Sequence, residues 1–210
     1  MTVTIILLIA GAYLLGSVSN AVWIGKYFYN IDVREHGSRN AGATNTLRVL
    51  GTKAGITVFA LDFLKGFAAV SLAWFLHLPA GTHELFNLQF ALTAAAVTGH
   101  IFPIFAHFRG GKGVATVAGA VMAILPVPVL LCLASFALVF IASHYVSLAS
   151  MISGILLPVY TVAVCGQTYT PLIIFCCTIT ALLIITHRKN IIRLWNHSEP
   201  KTFFKKHPSL

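Results

Sequence analysis

Charged side chains, and acidic ones above all, are scarce in this sequence. Only 9% of the 210 residues are charged, and Asp and Glu together number five, whereas soluble domains carry about 25% charged residues. This composition excludes a soluble domain. Five scattered carboxylates are also too few for metal-assisted phosphoryl chemistry, so we expect neither a metal site nor a cofactor.

Several catalytic patterns are absent as well. None of the nine histidines is followed by Asp five residues later, and neither G-x-S-x-G nor H-E-x-x-H occurs. The four cysteines lie in apolar runs without a C-x-x-C pair, which is typical of free thiols that pack as small apolar side chains. The sequence therefore offers no general base of the usual kind, and His187 is the one candidate.

Long runs without Asp, Glu, Lys or Arg cover most of the chain: Thr2–Gly25, Leu85–Phe108 and Val114–Thr186. One membrane span needs roughly 20 apolar residues, so the last run alone holds three or four. The first run lacks a basic start and a cleavage site, which favours a span over a signal peptide. We predict an all-α integral membrane protein with a single transmembrane domain over residues 1–210.

The apolar runs divide into seven predicted spans, at residues 3–23, 54–77, 86–105, 114–125, 129–145, 149–165 and 170–186. Turns are expected at 126–128, 144–147 and 165–171. Residues 114–125 give about 18 Å of helix at 1.5 Å per residue, which is short for a crossing. Residues 114–145 therefore form two crossings or a hairpin that returns to the same side, and a five-span bundle is the alternative to seven spans.

The distribution of basic residues predicts the orientation. Of the 14 Lys and Arg, all but Lys65 lie in a loop at 26–53, a loop at 106–113, or the tail after residue 186. The intervening loops at 78–85 and 165–171 contain none. Because basic residues accumulate on the cytoplasmic side, we expect both basic loops and the tail in the cytoplasm, with the N-terminus outside.

The stretch Asp32–Gly51 is too polar and too long for a plain connection between helices, which usually takes about two to eight residues. It offers hydroxyl, amide and guanidinium donors on Ser38, Asn40, Thr44, Asn45 and Arg48. The guanidinium of Arg48 is suited to an anion because it presents a planar fork of donors. The alternative is a solvated basic loop in contact with lipid headgroups.

The stretch RGGKGVAT, which begins at Arg109, has the look of a nucleotide-binding loop. A Walker A loop requires G-x-x-x-x-G-K-[ST], but Ala106 stands at the first glycine position and Gly113 follows Lys112. A nucleotide P-loop is therefore excluded. Glycine N–H groups beside a lysine, at the start of a helix near Val114, still predict an anion site. A simple glycine turn with an interfacial lysine is the alternative.

Two more polar stretches are predicted on the cytoplasmic side. Ser147 and Ser150 are three residues apart and share a helical face, although serines are also common packing residues in membrane helices. His187 and Asn190 lie one turn apart at the end of the last span, in a tail that also suits anionic lipid. All four polar stretches then lie on one membrane face, which predicts an anion pocket at the cytoplasmic interface.

Two ion pairs are expected to be structural. Asp62 and Lys65 are spaced i, i+3 within the second span, and charges buried in a membrane usually pair. Glu199 is the only acid of the tail and lies among Arg193 and Lys201. We predict that both pairs shape the site and take no direct part in its chemistry.

The chain resembles the membrane-embedded bacterial acyl-phosphate:glycerol-3-phosphate acyltransferases over nearly its whole length. The resemblance rests on HGSRNAGATNTLRVLG, on GHIFPIFAHFRGGKGVAT, and on HRKNIIRL followed by NHSEPK. Where the family often has GSGN, this sequence has GSRN, with Arg39 in place of a glycine. The resemblance implies a seven-helix bundle that transfers a fatty acyl group from acyl phosphate to the 1-hydroxyl of glycerol 3-phosphate.

The resemblance also implies roles for individual residues. The predicted catalytic residues are Ser38, Arg48, Lys112, His187 and Asn190. The predicted substrate-binding residues are Asn40, Thr44, Asn45, Arg109, Gly110, Gly111, Gly113 and Ser150. Asp62, Lys65 and Glu199 are predicted to be structural. Acyl phosphate is an activated anhydride, so positioning and charge stabilisation are expected to dominate, with the proton taken by a substrate phosphate or by His187.

The implied partners are glycerol 3-phosphate, acyl phosphate and membrane lipids, at the bacterial inner membrane. No nucleic acid and no obligate protein partner is expected. A carrier for phosphate or organic anions is the alternative function, although such carriers commonly bind near the midplane, between repeats, and no internal repeat is evident here. A phosphotransferase with the same pocket is a second alternative.

Overall fold

The computed structural model describes residues 1–203, and every regular element within them is helical. These residues form ten α-helices: α1 (Thr2–Ser17), α2 (Asn20–Tyr29), α3 (Ala43–Leu50), α4 (Thr52–Ser71), α5 (His83–Ile101), α6 (Val114–Met122), α7 (Pro126–Ser143), α8 (Val146–Val159), α9 (Thr170–Thr186) and α10 (Arg188–Trp195). Short 3₁₀ segments follow α4 and α5, at Leu72–Leu76 and Ile104–Ala106, and a π-helical turn, Tyr160–Val164, extends α8. Lys205 and Lys206 of the predicted basic tail lie outside the described residues.

Four helical segments of the described chain are long and apolar enough to cross a membrane: Thr52–Leu76, His83–Ala106, Pro126–Ser143 and Val146–Val164. The number rises to six if two bent pairs each form one span, α1 with α2 at 41° and α9 with α10 at 59°. The chain is therefore an all-helical, multi-pass membrane protein in its described part. Helix α6 has only 9 residues, about 14 Å at 1.5 Å per residue, and is not among these candidates.

The observed helices extend into a turn and a loop that the sequence had predicted to be non-helical. Residues 126–128 were expected to form a turn, but Pro126 begins α7, because proline fits the first helical turn, where its missing N–H has no carbonyl to serve. The predicted loop at 26–53 contains the end of α2 and the whole of α3. Charged residues marked the end of the apolar run, and a helix does not have to end where its apolar run does.

By its internal packing the described chain divides into two compact units, residues 1–124 and residues 125–203. In the first unit α1 packs on α5, and α4 packs on α1, α3, α5 and α6. In the second unit α8 packs on both α7 and α9. Each unit brings together two of the four polar stretches. The single domain over residues 1–210 stays a prediction.

Two glycines bring α6 into close contact with α4 in the first unit. A Cβ on Gly66 would collide with the carbonyl of Thr116, and a Cβ on Gly119 would collide with the carbonyl of Phe63. Small residues at such crossings allow membrane helices to approach until their backbones touch. The start of α6, where the glycine loop ends, is thereby fixed against the second predicted span.

The predicted Asp62–Lys65 ion pair is present, and it lies beside a break in the first span. Lys65 Nζ is 2.9 Å from Asp62 Oδ1 and donates at 2.7 Å to the carbonyl of Val18, between α1 and α2. Asn20 Nδ2 donates to the same Asp62 oxygen at 2.9 Å. Carbonyl groups freed by a break inside a membrane need a replacement donor, and Lys65 provides one.

Candidate active site

The glycine loop, residues 109–113, folds back onto the end of α5. The N–H of Gly110 donates to the carbonyl of Ile101, and the N–H of Gly111 donates to the carbonyl of His100, both at 3.2 Å. The last carbonyls of a helix have no hydrogen-bond donor within the helix, and these two N–H groups provide the donors. The sequence had predicted that the glycine N–H groups face an anion, whereas two of them engage α5.

The loop ends at the start of α6, as predicted. Gly113 is the N-cap residue of α6 and has a left-handed backbone with φ 81°, a conformation that glycine adopts without a Cβ penalty. The first N–H groups of a helix lack intrahelical partners, and the helix dipole adds partial positive charge there. Half-buried Lys112 immediately precedes this end. The anion site stays a prediction, and the structure narrows it to Lys112 and the first turn of α6.

The stretch before α3 is organised by the buried side chain of Asn45. Its Nδ2 donates to the carbonyls of Val33 at 2.6 Å and His36 at 3.1 Å, while its Oδ1 accepts from the N–H of Ser38 at 2.8 Å. Asn45 is 1% exposed. These contacts make Asn45 a determinant of the loop's shape and fix the backbone of Ser38. Its predicted role in substrate binding stays a prediction.

The polar side chains of this stretch differ in exposure. Ser38 is exposed, whereas Asn40, Thr44 and Arg48 are half-buried. Thr44 and Arg48 are spaced i, i+4 on α3, so both project from one face of that helix. Arg39 has a left-handed backbone with φ 59°, which is costly for a residue with a Cβ. Arg39 therefore occupies a position where the local backbone favours the glycine that the family often has.

Arg34, a residue that the sequence did not single out, joins the first polar stretch to the 3₁₀ segment that precedes the glycine loop. Its Nε and Nη2 donate to the two carboxylate oxygens of Asp32 at 2.9 and 2.7 Å, and its Nη1 donates to the carbonyl of Ala106 at 2.8 Å. The hydrogen bonds from Arg34 hold the pKa of Asp32 well below its ordinary value of 3.8. The glycine loop itself also lies close to the first polar stretch. An added Cβ on Gly111 would be 2.7 Å from the carbonyl oxygen of Ala41.

In the second unit, Glu199 accepts hydrogen bonds from three side chains. Ser147 Oγ donates at 2.8 Å and Asn190 Nδ2 at 2.7 Å to Oε1, and Arg193 Nε donates at 2.6 Å to Oε2. The predicted ion pair with Arg193 is therefore confirmed. Burial alone raises the pKa of Glu199, but the three hydrogen bonds outweigh it and the pKa falls below its ordinary value. Glu199 thus joins the third polar stretch to the fourth.

The geometry assigns a tautomer to His187, which is 3% exposed at the junction of α9 and α10. Its Nδ1 lies 2.8 Å from the carbonyl oxygen of Leu183. A carbonyl only accepts, so Nδ1 carries the proton and Nε2 of the neutral ring carries the lone pair. Nε2 is therefore the ring nitrogen suited to take a proton. One turn later, the N–H of Asn190 donates to the carbonyl of His187 at 2.8 Å.

The last described residues return to the turn between α7 and α8. The N–H of Thr202 donates to the carbonyl of His144 at 2.9 Å, and the rings of Phe203 and His144 lie 4.8 Å apart between centroids. Ser150, predicted to bind substrate, lies buried on α8 and donates to the carbonyl of Val146 at 2.8 Å. Serine hydroxyls in membrane helices often bond to their own backbone in this way.

A family model described as glycerol-3-phosphate acyltransferase matches residues 6–197. The chain belongs to the glycerol-3-phosphate acyltransferase family. Membership confirms the resemblance that the sequence motifs indicated. It also confirms that this chain is an enzyme of the acyltransferase class, whose function implies a place in phospholipid biosynthesis.

Curated relatives match this acyltransferase over almost their full length. A glycerol-3-phosphate acyltransferase of Listeria welshimeri is 44% identical over 202 residues, which cover 96% of this chain and 98% of the relative. Glycerol-3-phosphate acyltransferase 3 of Bacillus anthracis is 43% identical over 204 residues, with 97% and 98% covered.

Solved structures share the fold of this acyltransferase. The crystal structure of PlsY (YgiH), an integral membrane glycerol 3-phosphate acyltransferase, in its glycerol 3-phosphate form, superposes with a TM-score of 0.83 at 38% identity and covers 94% of both chains. Its lysophosphatidic acid form gives a TM-score of 0.81 at 36% identity, again with 94% of both chains covered.

Four residues of this acyltransferase carry contacts that the sequence did not predict: Arg34, His100, Thr116 and Asn20. Arg34 donates to the carbonyl of Ala106, and His100 and Thr116 share a hydrogen bond. Asn20 donates to the carboxylate of Asp62. A signal existed for His100, which lies inside the motif GHIFPIFAHFRGGKGVAT and is polar within an apolar run. No pattern of residue types indicates a backbone carbonyl as the partner of Arg34.

Proposed function

We propose that this protein transfers a fatty acyl group from acyl phosphate to the 1-hydroxyl of glycerol 3-phosphate, giving lysophosphatidic acid and inorganic phosphate. The observation that carries the proposal is the position of Lys112 at the N-terminus of α6, on a loop whose Gly111 lies close to Ala41 in the stretch that bears Ser38 and Arg48. Cations beside helix N–H groups suit a phosphate. The glycerol 3-phosphate and lysophosphatidic acid forms of PlsY support the same substrate and product.

In this reaction the 1-hydroxyl oxygen attacks the acyl carbonyl carbon, and the bond between that carbon and the phosphate oxygen breaks. Phosphate leaves with the bonding electrons. The hydroxyl proton passes to a substrate phosphate oxygen or to Nε2 of His187, whose Nδ1 is already protonated. Because phosphate is a good leaving group, positioning and charge stabilisation carry most of the catalysis.

The polar groups of each unit have proposed roles of their own. In the first unit Ser38, Arg48 and Lys112 bind phosphate, and the glycine backbone shapes the glycerol 3-phosphate site. In the second unit Asn190, held by Glu199, positions the acyl donor or the attacking hydroxyl together with Ser150. The substrate-binding roles of Asn40, Thr44 and Arg109 follow from the resemblance to the family's motifs. The acyl chain lies among the apolar helices.

We propose seven crossings, with the N-terminus outside, the C-terminus in the cytoplasm and the active site facing the cytoplasm. Six come from the long segments and bent pairs, and short α6 is the seventh. The alternative is a five-span bundle in which residues 114–145 form a re-entrant hairpin. The proposed location is the bacterial inner membrane, which the resemblance implies, and the proposed orientation follows from the basic residues in the segments assigned to the cytoplasm. They also attract both anionic substrates.

Turnover by purified protein tests the proposal. Protein in detergent is mixed with glycerol 3-phosphate and an acyl phosphate, and both phosphate release and lysophosphatidic acid are measured. We expect equal amounts of the two products. A monodisperse sample that makes neither product, yet passes anions across liposome membranes, would establish the carrier instead.

Replacing His187 with alanine separates the two routes for the proton. If a substrate phosphate accepts it, the His187→Ala enzyme turns over slowly but measurably, because only positioning is lost. Turnover at background, in protein whose thermal unfolding matches the wild type, would identify His187 as the general base. Single-turnover rates in detergent provide the measurement.

A further inference from the structure

The glycine loop rests against the ring of His100, which lies one residue before the end of α5 and is 6% exposed. On one edge of the ring, Nδ1 lies 3.0 Å from Thr116 Oγ1. On the other edge, Nε2 and Cε1 are the atoms that a Cβ on Gly111 would meet. The ring therefore fills the space between the first turn of α6 and the loop that carries Lys112.

We propose that His100 is a positioning residue for substrate binding: its ring sets the place of Gly111, and thereby of Lys112, at the phosphate of glycerol 3-phosphate. The inference rests on the proposed function, since it assigns the loop to that phosphate. His100 does not touch the substrate in this scheme. It acts through the backbone of the loop.

The loop has little freedom to move independently of His100. The carbonyl of His100 accepts from the N–H of Gly111, so the same residue holds Gly111 by its backbone and by its ring. The carbonyl oxygen of Ala41 crowds the same position, because an added Cβ on Gly111 would lie 2.7 Å from it. The His100 ring and the Ala41 carbonyl thus both lie close against Gly111, and loss of the ring removes one of these two neighbours.

The ring in turn is held in place by α6. Thr116 is fully buried, and its hydroxyl meets Nδ1 at 3.0 Å. Asp62 Oδ1 is 3.9 Å from Nδ1, beyond hydrogen-bond distance, and already accepts from Asn20 and pairs with Lys65. Thr116 is therefore the group that orients the ring, while the ion pair forms the polar surroundings behind it.

Loss of the ring is expected to act on substrate affinity. The loop holds the phosphate in the ground state and the transition state alike, so its displacement changes KM more than kcat. A displaced loop holds the phosphate less tightly, and part of this loss of affinity is recovered when the substrate pulls the loop back. We therefore expect His100→Ala to raise KM for glycerol 3-phosphate by about tenfold or more, with kcat within about threefold of wild type.

Two amide variants separate the two edges of the ring. His100→Asn keeps a polar atom near the place of Nδ1, towards Thr116, and leaves the space at Gly111 empty. His100→Gln extends an amide towards Gly111. We expect a raised KM for His100→Asn and a KM near wild type for His100→Gln. His77→Asn is the control, since His77 is exposed and its left-handed backbone, φ 49°, suits asparagine.

A double-mutant cycle tests the contact itself. Gly111→Ala alone places its methyl group against the ring and the Ala41 carbonyl, and we expect a large rise in KM. In the His100→Ala background the collision with the ring is gone. The two changes together should therefore raise KM by less than the product of their single effects. Effects that simply multiply would overturn the proposal.

Binding of glycerol 3-phosphate gives a second readout that needs no acyl donor. Wild-type protein in detergent should gain thermal stability with added glycerol 3-phosphate, and His100→Asn should gain less at the same concentration. If His100→Ala does not fold, the comparison of His100→Asn with His100→Gln decides. Equal KM values and equal thermal gains for His100→Asn and wild type would overturn the proposal.

The outcomes also separate this inference from the proposed function. Wild-type protein that binds glycerol 3-phosphate but makes no lysophosphatidic acid would refute the proposed function. The inference would then still hold if His100→Asn weakened that binding. Normal turnover with unaltered KM in His100→Asn would refute the inference and leave the proposed function intact.

Discussion

Replacing Arg34 with methionine tests how the loop before α3 is tied to the glycine loop. Methionine keeps an unbranched apolar chain of similar reach and removes all three guanidinium hydrogen bonds, two to Asp32 and one to the Ala106 carbonyl. A matched control exists on the same carboxylate. Lys26 Nζ lies 3.3 Å from Asp32, but its side chain is 54% exposed.

The structure gives a magnitude for each change. The Arg34 and Asp32 side chains are 10% and 11% exposed, and removal of one partner from a buried pair costs about 3 kcal/mol at the lower end of the usual range. The Ala106 carbonyl loses a donor, which adds about 1 kcal/mol. An exposed pair such as Lys26–Asp32 contributes about 0–1 kcal/mol.

Thermal unfolding in detergent, followed by helical circular dichroism, provides the assay. At about 2–4 °C per kcal/mol for a chain of this size, we expect Arg34→Met to lower the apparent Tm by about 8–16 °C and Lys26→Met by at most about 4 °C. Arg34→Met should also raise KM for glycerol 3-phosphate, because the loop carrying Lys112 loses a tie. Equal Tm shifts for the two variants would refute this reasoning.

The contribution of Asp32 to the stability of the protein depends on pH in a definite direction. The pKa of Asp32 is lowered in the folded protein, so its contribution to stability is complete above its ordinary pKa of 3.8 and is lost as the pH falls through the folded value. The Tm difference between wild type and Arg34→Met should therefore stay constant down to about pH 4 and narrow below it. A difference that narrows near neutral pH would point to another titrating group.

Three further predictions concern single residues. Lys112→Ala and Arg48→Ala should each nearly abolish turnover, because each removes a cation from a bound phosphate. Lys53→Ala, at an exposed lysine in the first turn of α4, should keep the steady-state rate within about twofold of wild type. Glu199→Gln replaces charge-assisted hydrogen bonds by neutral ones and should lower kcat about tenfold. An unchanged kcat would show that Glu199 does not position Asn190 for the reaction. Arg39→Gly should raise the apparent Tm by about 2 °C by relieving the left-handed backbone, and Arg39→Ala should bring no such gain.

Features encoded by short-range spacing were predictable from the sequence. The i, i+3 spacing of Asp62 and Lys65 predicted their ion pair, and the only acid of the tail predicted the pair with Arg193. The glycine before Val114 predicted the start of α6. Each of these depends on residues within a turn or two of one another, so local geometry decides the outcome.

Contacts between distant residues and backbone groups were not predictable. Arg34 and Ala106 are 72 residues apart, and a carbonyl acceptor is the same for every residue type. The use of the Gly110 and Gly111 N–H groups was misjudged for a related reason. The sequence showed available donors, but only the fold shows that the loop turns back to the unpaired carbonyls of α5.

The break between α1 and α2 has a consequence for how the protein enters the membrane. These helices form an apolar run that precedes α4 in the chain. The Val18 carbonyl and the Asn20 amide within it have their hydrogen-bond partners on α4, at Lys65 and Asp62. Inside hydrocarbon each unsatisfied polar group costs several kcal/mol. This run therefore reaches its bent, settled form only once α4 has been inserted beside it, and Asp62 and Lys65 enter together as a neutral pair. Insertion of this bundle is therefore cooperative, because α4 supplies the hydrogen-bond partners that the run of α1 and α2 needs.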